Sequence, residues 1–155
     1  MQLSENFTLD EFVRSQTADR RGIYNTPRRE HIDNAVELAH NVLQPIRNHF
    51  GPTIITSGYR SEQLNAAIGG SPRSQHRFGE AADLVIPGVP TPNVCEWIVA
   101  NVDFDQLILE FYDPMNQNSG WTHVSYTTLP RGNRGEVLTA ARVNGVTEYS
   151  YGLNY

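Results

Sequence analysis

The longest regular run of apolar positions falls between residues 27 and 50. Ile32, Ala35, Val36, Ala39, Val42, Leu43 and Ile46 recur three or four positions apart, the spacing that lines one face of an α-helix. Thr26-Pro27 ahead of it reads as a cap followed by proline in the first turn, and Gly51-Pro52 ends it. Pro45 has no N–H for the carbonyl four residues back, so a kink is expected in the last turns. His31, His40 and His49 lie mostly off the stripe and are read as solvated. A shorter helix is marked by its start: Thr8 can cap, Glu11 can close a capping box, and Phe7 can staple onto Phe12. Residues 18–24 are polar and are expected to form a loop.

Beyond residue 52 the pattern shifts toward short β-branched and alternating runs. Thr53-Ile54-Ile55-Thr56-Ser57 predicts a strand. Gly58-Tyr59-Arg60 turns it into a short helix over 61–68, which Gly69-Gly70 stops, and a loop over 71–78 follows. Ala82-Asp83-Leu84-Val85-Ile86 is the next strand, ended by Pro87-Gly88, and Thr91-Pro92 opens a helix to about residue 100. Residues 106–111 and 121–127 predict two strands around a polar loop holding Asp113-Pro114 and Ser119-Gly120. Runs 137–143 and 146–149 flank Asn144-Gly145, the strongest short hairpin signal. Helices first and hairpins last predict an α+β fold, a small antiparallel sheet with N-terminal helices packed on it. No repeat or linker interrupts it, so residues 1–155 are expected to form a single domain.

Composition narrows the class. A chain of 155 residues with 39% hydrophobic and 19% charged positions has the balance of a folded globular domain. A net charge of −5 argues against nucleic acid or an acidic membrane surface as partner. The single cysteine, Cys95, precludes an intramolecular disulfide and sits where helix packing is the expected role. The opening Met-Gln-Leu-Ser-Glu-Asn-Phe lacks the basic and apolar regions of an export signal, and no apolar run approaches the ~20 residues that span a bilayer. A monomer without export signal or membrane anchor is expected.

Within this frame the stretch Ser74-Gln75-His76-Arg77-Phe78-Gly79-Glu80-Ala81-Ala82-Asp83 stands out, with His123 following in Trp121-Thr122-His123-Val124-Ser125-Tyr126. Two imidazoles and one carboxylate are a common ligand set for a catalytic zinc ion, leaving the fourth position to water. Spacing alone leaves this open against a surface-loop histidine beside an ordinary strand aspartate. If Glu110 stands opposite His123 across the hairpin, Ile108, Glu110 and Tyr112 share a face with Trp121, His123 and Ser125. A carboxylate there is placed to take a proton from water at a zinc ion. The other reading of Glu110 is a cross-strand salt bridge, against which its neighbours Leu107, Ile108, Leu109 and Phe111 argue. Arg60 can clamp a substrate carboxylate, stabilise an oxyanion, or serve as a structural ion pair. Tyr59, Trp121 and Tyr126 can line a groove, although aromatics on strands are more often core. No G-x-S-x-G supports a serine mechanism.

Taken together these residues resemble the zinc peptidases of peptidoglycan, which include D-alanyl-D-alanine carboxypeptidases and phage L-alanyl-D-glutamate endopeptidases. The matching elements are Ser57-Gly58-Tyr59-Arg60-Ser61, then Ser74-Gln75-His76-x-x-Gly79-x-Ala81-x-Asp83, then Gln106-Leu107-Ile108-x-Glu110-Phe111, then Trp121-x-His123-Val124-Ser125. They come in that family's order, within a resemblance running from the Asn-Phe-Thr-x-x-Glu-Phe segment to about Tyr126. The resemblance implies a fold shared with the hedgehog signalling domain and one zinc ion per chain on His76, Asp83 and His123. It also implies Arg60 in contact with substrate, with Ser74, Gln75 and Trp121 beside it. One departure matters: several members carry the catalytic acid three residues before the last histidine, and here that position is Gly120. Glu110 is then the strand carboxylate left to serve as base.

The resulting expectation is a zinc metallopeptidase that cuts stem peptides of bacterial cell wall, a phage endolysin made in the host cytoplasm and acting on the wall after release. A D-Ala-D-Ala carboxypeptidase is the alternative within the family. A non-catalytic wall-binding or virion structural domain is the alternative outside it.

Overall fold

The computed structural model describes residues 1–155. The chain opens with a two-stranded hairpin, β1 (Gln2–Ser4) and β2 (Phe7–Thr8), which runs directly into α1 (Leu9–Val13). The expected capping box is formed. The Thr8 N–H donates to Glu11 Oε1 at 2.7 Å, and the Glu11 N–H donates to Thr8 Oγ1 at 3.3 Å. Phe7 and Phe12 both enter the core. Residues 18–24, expected as a loop, begin instead inside α2 (Gln16–Arg21). Ser15 caps this helix by accepting from the Ala18 N–H, and Gly22 ends it in the left-handed region. So short a helix has no apolar period, and its caps define it.

The next helix begins later than Thr26-Pro27 predicts. α3 (Arg29–Leu38) starts after Arg28 without a side-chain cap. The disturbance expected at Pro45 takes the form of one wide π-helical turn, Ala39–Leu43, before α4 (Gln44–Phe50). The Gln44 N–H reaches back five residues to the Ala39 carbonyl, so the register resets just ahead of the residue that cannot donate. Ala35, Leu38, Ala39, Val42, Leu43 and Ile46 are buried along the stripe, while Ile32 and Val36 are half-buried.

After this come β3 (Ile54–Ser57), α5 (Glu62–Ala67), β4 (Ala81–Val85), α6 (Thr91–Asn101), β5 (Gln106–Glu110), β6 (Trp121–Ser125), β7 (Glu136–Val143) and β8 (Val146–Tyr151). Thr91 lies inside the first turn of α6 after Pro90, so it is not the cap; its Oγ1 donates to the Ser119 carbonyl instead. Asn144 and Gly145 both take positive φ, 52° and 77°, as the tight turn between β7 and β8 requires.

The six longer strands form one sheet in the order β3-β4-β6-β5-β7-β8. The sheet is mixed, because β5 and β7 run parallel, which corrects the wholly antiparallel sheet expected from sequence. The chain crosses back over residues 126–135, and the β7–β8 hairpin therefore docks beside β5. Ala82, Leu84, Leu107, Leu109 and Val124 share a core with residues of α3, α4 and α6. Cys95 of α6 is fully buried there, with Sγ 3.3 Å from Thr122 Oγ1, and burial pushes its thiol up to about 12. Alternation then sends Asp83, Ile108, Glu110, Trp121 and His123 to the opposite face. Across that face one row of paired residues reads Ser57, Asp83, His123, Ile108, Leu138, Tyr151.

Candidate active site

His76 reaches the sheet from a single 3₁₀ turn, Gln75–Phe78. Ser74 caps the turn by accepting from the His76 N–H at 3.3 Å, and Gly79 closes it at φ +73°. A Cβ on Gly79 would lie 2.2 Å from the His31 carbonyl oxygen, so the turn needs glycine for space as well as for backbone. His76 is 2% exposed, and its Nδ1 lies 2.7 Å from the Gly58 carbonyl. A carbonyl can only accept, so Nδ1 carries the proton and Nε2 keeps its lone pair.

That lone pair faces Asp83. His76 Nε2 is 3.3 Å from Asp83 Oδ1, and His123 Nδ1 is 3.0 Å from the same oxygen. Asp83 and His123 stand opposite each other on β4 and β6, which is why residues 40 positions apart meet. One ligand atom from each of the three lies within 4.8 Å of the others. Atoms each ~2.0–2.1 Å from a tetrahedral zinc ion are roughly 3.3 Å apart, close to the 3.3 and 3.0 Å separations found here, so this donor set suits zinc. Burial alone would raise the Asp83 carboxyl, but the His76 and His123 imidazoles overcome it and hold it well below the usual carboxylate range. Burial also lowers the His76 imidazole, which favours the neutral, ligating form. His31, His40 and His49 stay outside this group. His40 and His49 are exposed as expected, whereas His31 is tucked against Tyr59 with ring centroids 5.5 Å apart.

Arg60 and Glu110 flank the ligands. Arg60 Nη2 donates to Asp83 Oδ2 at 3.3 Å and its Nε to Ser57 Oγ at 3.0 Å, so it orients the carboxylate ligand as well as facing the cleft. Glu110 pairs with Trp121, and Ile108 is the residue opposite His123, a correction of two positions. A shift of two keeps the face, so Glu110 still points to the ligand side. Burial first, then the Asp83 carboxylate, pushes Glu110 up to about 7, with His123 and Arg60 opposing. The buried indole N–H of Trp121 sits beside this carboxyl and favours its ionised form. After Glu110 the alternation breaks: Phe111 takes φ 55°, so Tyr112 does not continue the strand. Gly120 takes φ +68°, and a Cβ there would sit 2.3 Å from the Glu110 carbonyl oxygen. No acidic side chain fits at that position, and the cleft carboxyls other than Asp83 are Glu80 and Glu110.

These residues line a cleft of about 910 Å³ together with Ser74, Gln75 and Trp121. Gln75 is already engaged, its Nε2 donating to Asp105 Oδ2 at 3.0 Å. Tyr59 is not a groove residue; it is 7% exposed and packs in the core, and Tyr126 packs half-buried against that core. The cleft also draws Arg131, Arg134 and Tyr149 from the last thirty residues, none of them foreseen. The string Arg131-Gly132-Asn133-Arg134-Gly135, two arginines held in tight turns, was the signal available. The family model described as Peptidase M15 matches residues 5–125. No curated protein matches the chain in sequence.

Proposed function

This chain belongs to the peptidase M15 family of zinc peptidases, and on that premise we propose that it cuts peptide bonds in the stem peptides of bacterial peptidoglycan as an endolysin-type endopeptidase. The observation that carries the reading is the meeting of His76, Asp83 and His123 in one cleft with Glu110 and Arg60. A zinc ion held by these three ligands supplies Lewis-acid polarisation of the scissile carbonyl and an acidified water. Glu110 accepts a proton from the attacking water as the oxygen bonds to the carbonyl carbon. It then returns that proton to the leaving amine as the C–N bond breaks. Arg60 faces the same space and balances negative charge that develops on the carbonyl oxygen. A purely structural metal site needs neither a cleft carboxyl nor a guanidinium, which sets the non-catalytic reading behind the enzymatic one.

The size of the cleft, about 910 Å³, supports an endopeptidase, since it has room for more than one terminal residue of a peptide. Arg60 supports the carboxypeptidase reading as well, because a guanidinium suits a free C-terminal carboxylate. Digestion of purified sacculi by zinc-loaded protein, followed by mass spectrometry, separates the two. Stem fragments with new amino termini are expected. Release of D-alanine alone, with stems still on the glycan, assigns a carboxypeptidase.

Arg60→Lys is expected to lower kcat/KM by about 10- to 100-fold while zinc stays bound. A lysine keeps the charge but cannot hold Ser57 and Asp83 at once and still face substrate with a planar fork. Kinetics within twofold of wild type, with full zinc, would make Arg60 structural.

A further inference from the structure

Asp105 is fully buried just before β5 and is clamped from two sides. Arg131 donates Nη1 and Nη2 to its two oxygens at 2.8 and 3.0 Å. Arg134 donates Nε and Nη2 at 3.1 and 2.9 Å, and its backbone N–H adds a bond at 3.0 Å. Gln75, the residue before His76, completes the shell. Burial would raise this carboxyl, but the Arg131 and Arg134 hydrogen bonds overcome it and hold it well below the usual range. One bidentate arginine with the amide donors already satisfies a buried carboxylate. The second arginine leaves the clamp with more cation than its anchor requires.

Both arginines keep exposed surface and spare donors. Asp105 is 0% exposed at the side chain, whereas Arg131 is 43% and Arg134 46% exposed. Both line the same cleft as the zinc ligands. Of the five N–H donors of a guanidinium, Arg131 uses three, two on Asp105 and one on the Gly132 carbonyl. Arg134 uses two of its side-chain donors on Asp105, and its Nη1 is 4.0 Å from Glu136. Glu136 is itself occupied by Gln106 Nε2. Glu80 also lines the cleft. With Asp105, these two glutamates make three carboxyls against two guanidiniums, so any selection by Arg131 and Arg134 rests on fixed hydrogen-bond geometry and not on a positive field.

We infer that Arg131 and Arg134, locked by Asp105, form a second recognition subsite for a carboxylate of the substrate peptide, distinct from Arg60 and away from the scissile bond. The identity of the ligand rests on the peptidase reading; the geometry of the subsite does not. Both arginines lie beyond residue 125, outside the match to the family, so this is a specificity element of the chain's own last thirty residues. Their rotamers are fixed before substrate arrives, and little ordering is lost on binding.

Three soluble stem peptides of one sequence test this: all carboxyls free, only the internal acid amidated, and only the C-terminus amidated. Wild-type zinc-loaded protein gives kcat and KM for each, and zinc-loaded Glu110→Gln gives affinity by calorimetry without turnover. One of the two amidated peptides is expected to bind and to show KM about 10-fold weaker, the lower end for lost charge-assisted bonds, with kcat changed far less. Arg131→Gln and Arg134→Gln are expected to bind that peptide and the free acid alike. If either fails to fold, its lysine counterpart keeps a charge for Asp105, loses the fork, and is expected to lose the discrimination too. Equal affinity for all three peptides overturns the subsite, and so does discrimination that survives in both arginine positions. Carboxylate-dependent binding without hydrolysis keeps the subsite and sinks the peptidase reading. Hydrolysis without discrimination does the reverse, and a protein that neither binds nor cuts sinks both.

Discussion

Glu110→Gln is expected to retain zinc and fold while turnover falls by about 10²–10⁴-fold, the usual contribution of a general base. The amide is nearly isosteric, so Trp121 and the β5 pairings are undisturbed, but it cannot take a proton from water. The pH profile should change with it. Burial and Asp83 push Glu110 up to about 7, and a dication beside it favours the ionised form. A base works deprotonated, so wild-type kcat/KM falls as pH drops through a pKa at or below about 7. That acid limb should vanish in the variant. More than a tenth of wild-type activity in Glu110→Gln would move the base elsewhere. Asp113 is no substitute in this structure, being exposed in the loop after β5 and away from the cleft lining.

His76→Ala and His123→Ala are each expected to reduce zinc well below one ion per chain and activity to background. Each removes one of three donors, and removal of His76 also leaves the Gly58 carbonyl without its partner. Ligand binding to the native state raises stability by mass action, by about 2.7 kcal/mol at free zinc a hundred times Kd. For a chain of this size that is roughly 5–10 °C in melting temperature. Chelation should therefore lower the melting point of wild type by that order and leave both alanine variants unmoved. One zinc per chain in either variant, by elemental analysis, would remove that histidine from the ligand set.

Local signals were legible where a few adjacent residues decide the outcome. The Thr8–Glu11 capping box and the Asn144-Gly145 turn are both of this kind. Short-range chemistry also misled where two readings compete. Ser15 and Gly22 make a helix of a polar stretch, and Pro45 is absorbed by a wide turn one residue earlier rather than by a kink. The parallel pairing of β5 with β7 was invisible, because no periodicity within a strand names its neighbour. At the site, His76, Asp83 and His123 could be singled out because residue type, order and resemblance coincide. Arg131 and Arg134 could not. Exposed-looking arginines in a glycine-rich loop become a fixed feature only through Asp105, 26 and 29 positions upstream.

Strand order also sets when this chain becomes chemically competent as it is made. β6 is inserted between β4 and β5, so His76 and Asp83 wait for a segment synthesised later. Asp83 and His123 are 40 positions apart, roughly 2–8 s of elongation at ~5–20 residues per second. Throughout that interval the nascent chain has two ligands and no site. The apolar run Leu107-Ile108-Leu109 has its two flanks closed only by β6 and then β7, both made after it. The β5 edge that carries Glu110 is therefore covered only once the last hairpin has been added, and the site and its shielding are completed by the same late segments.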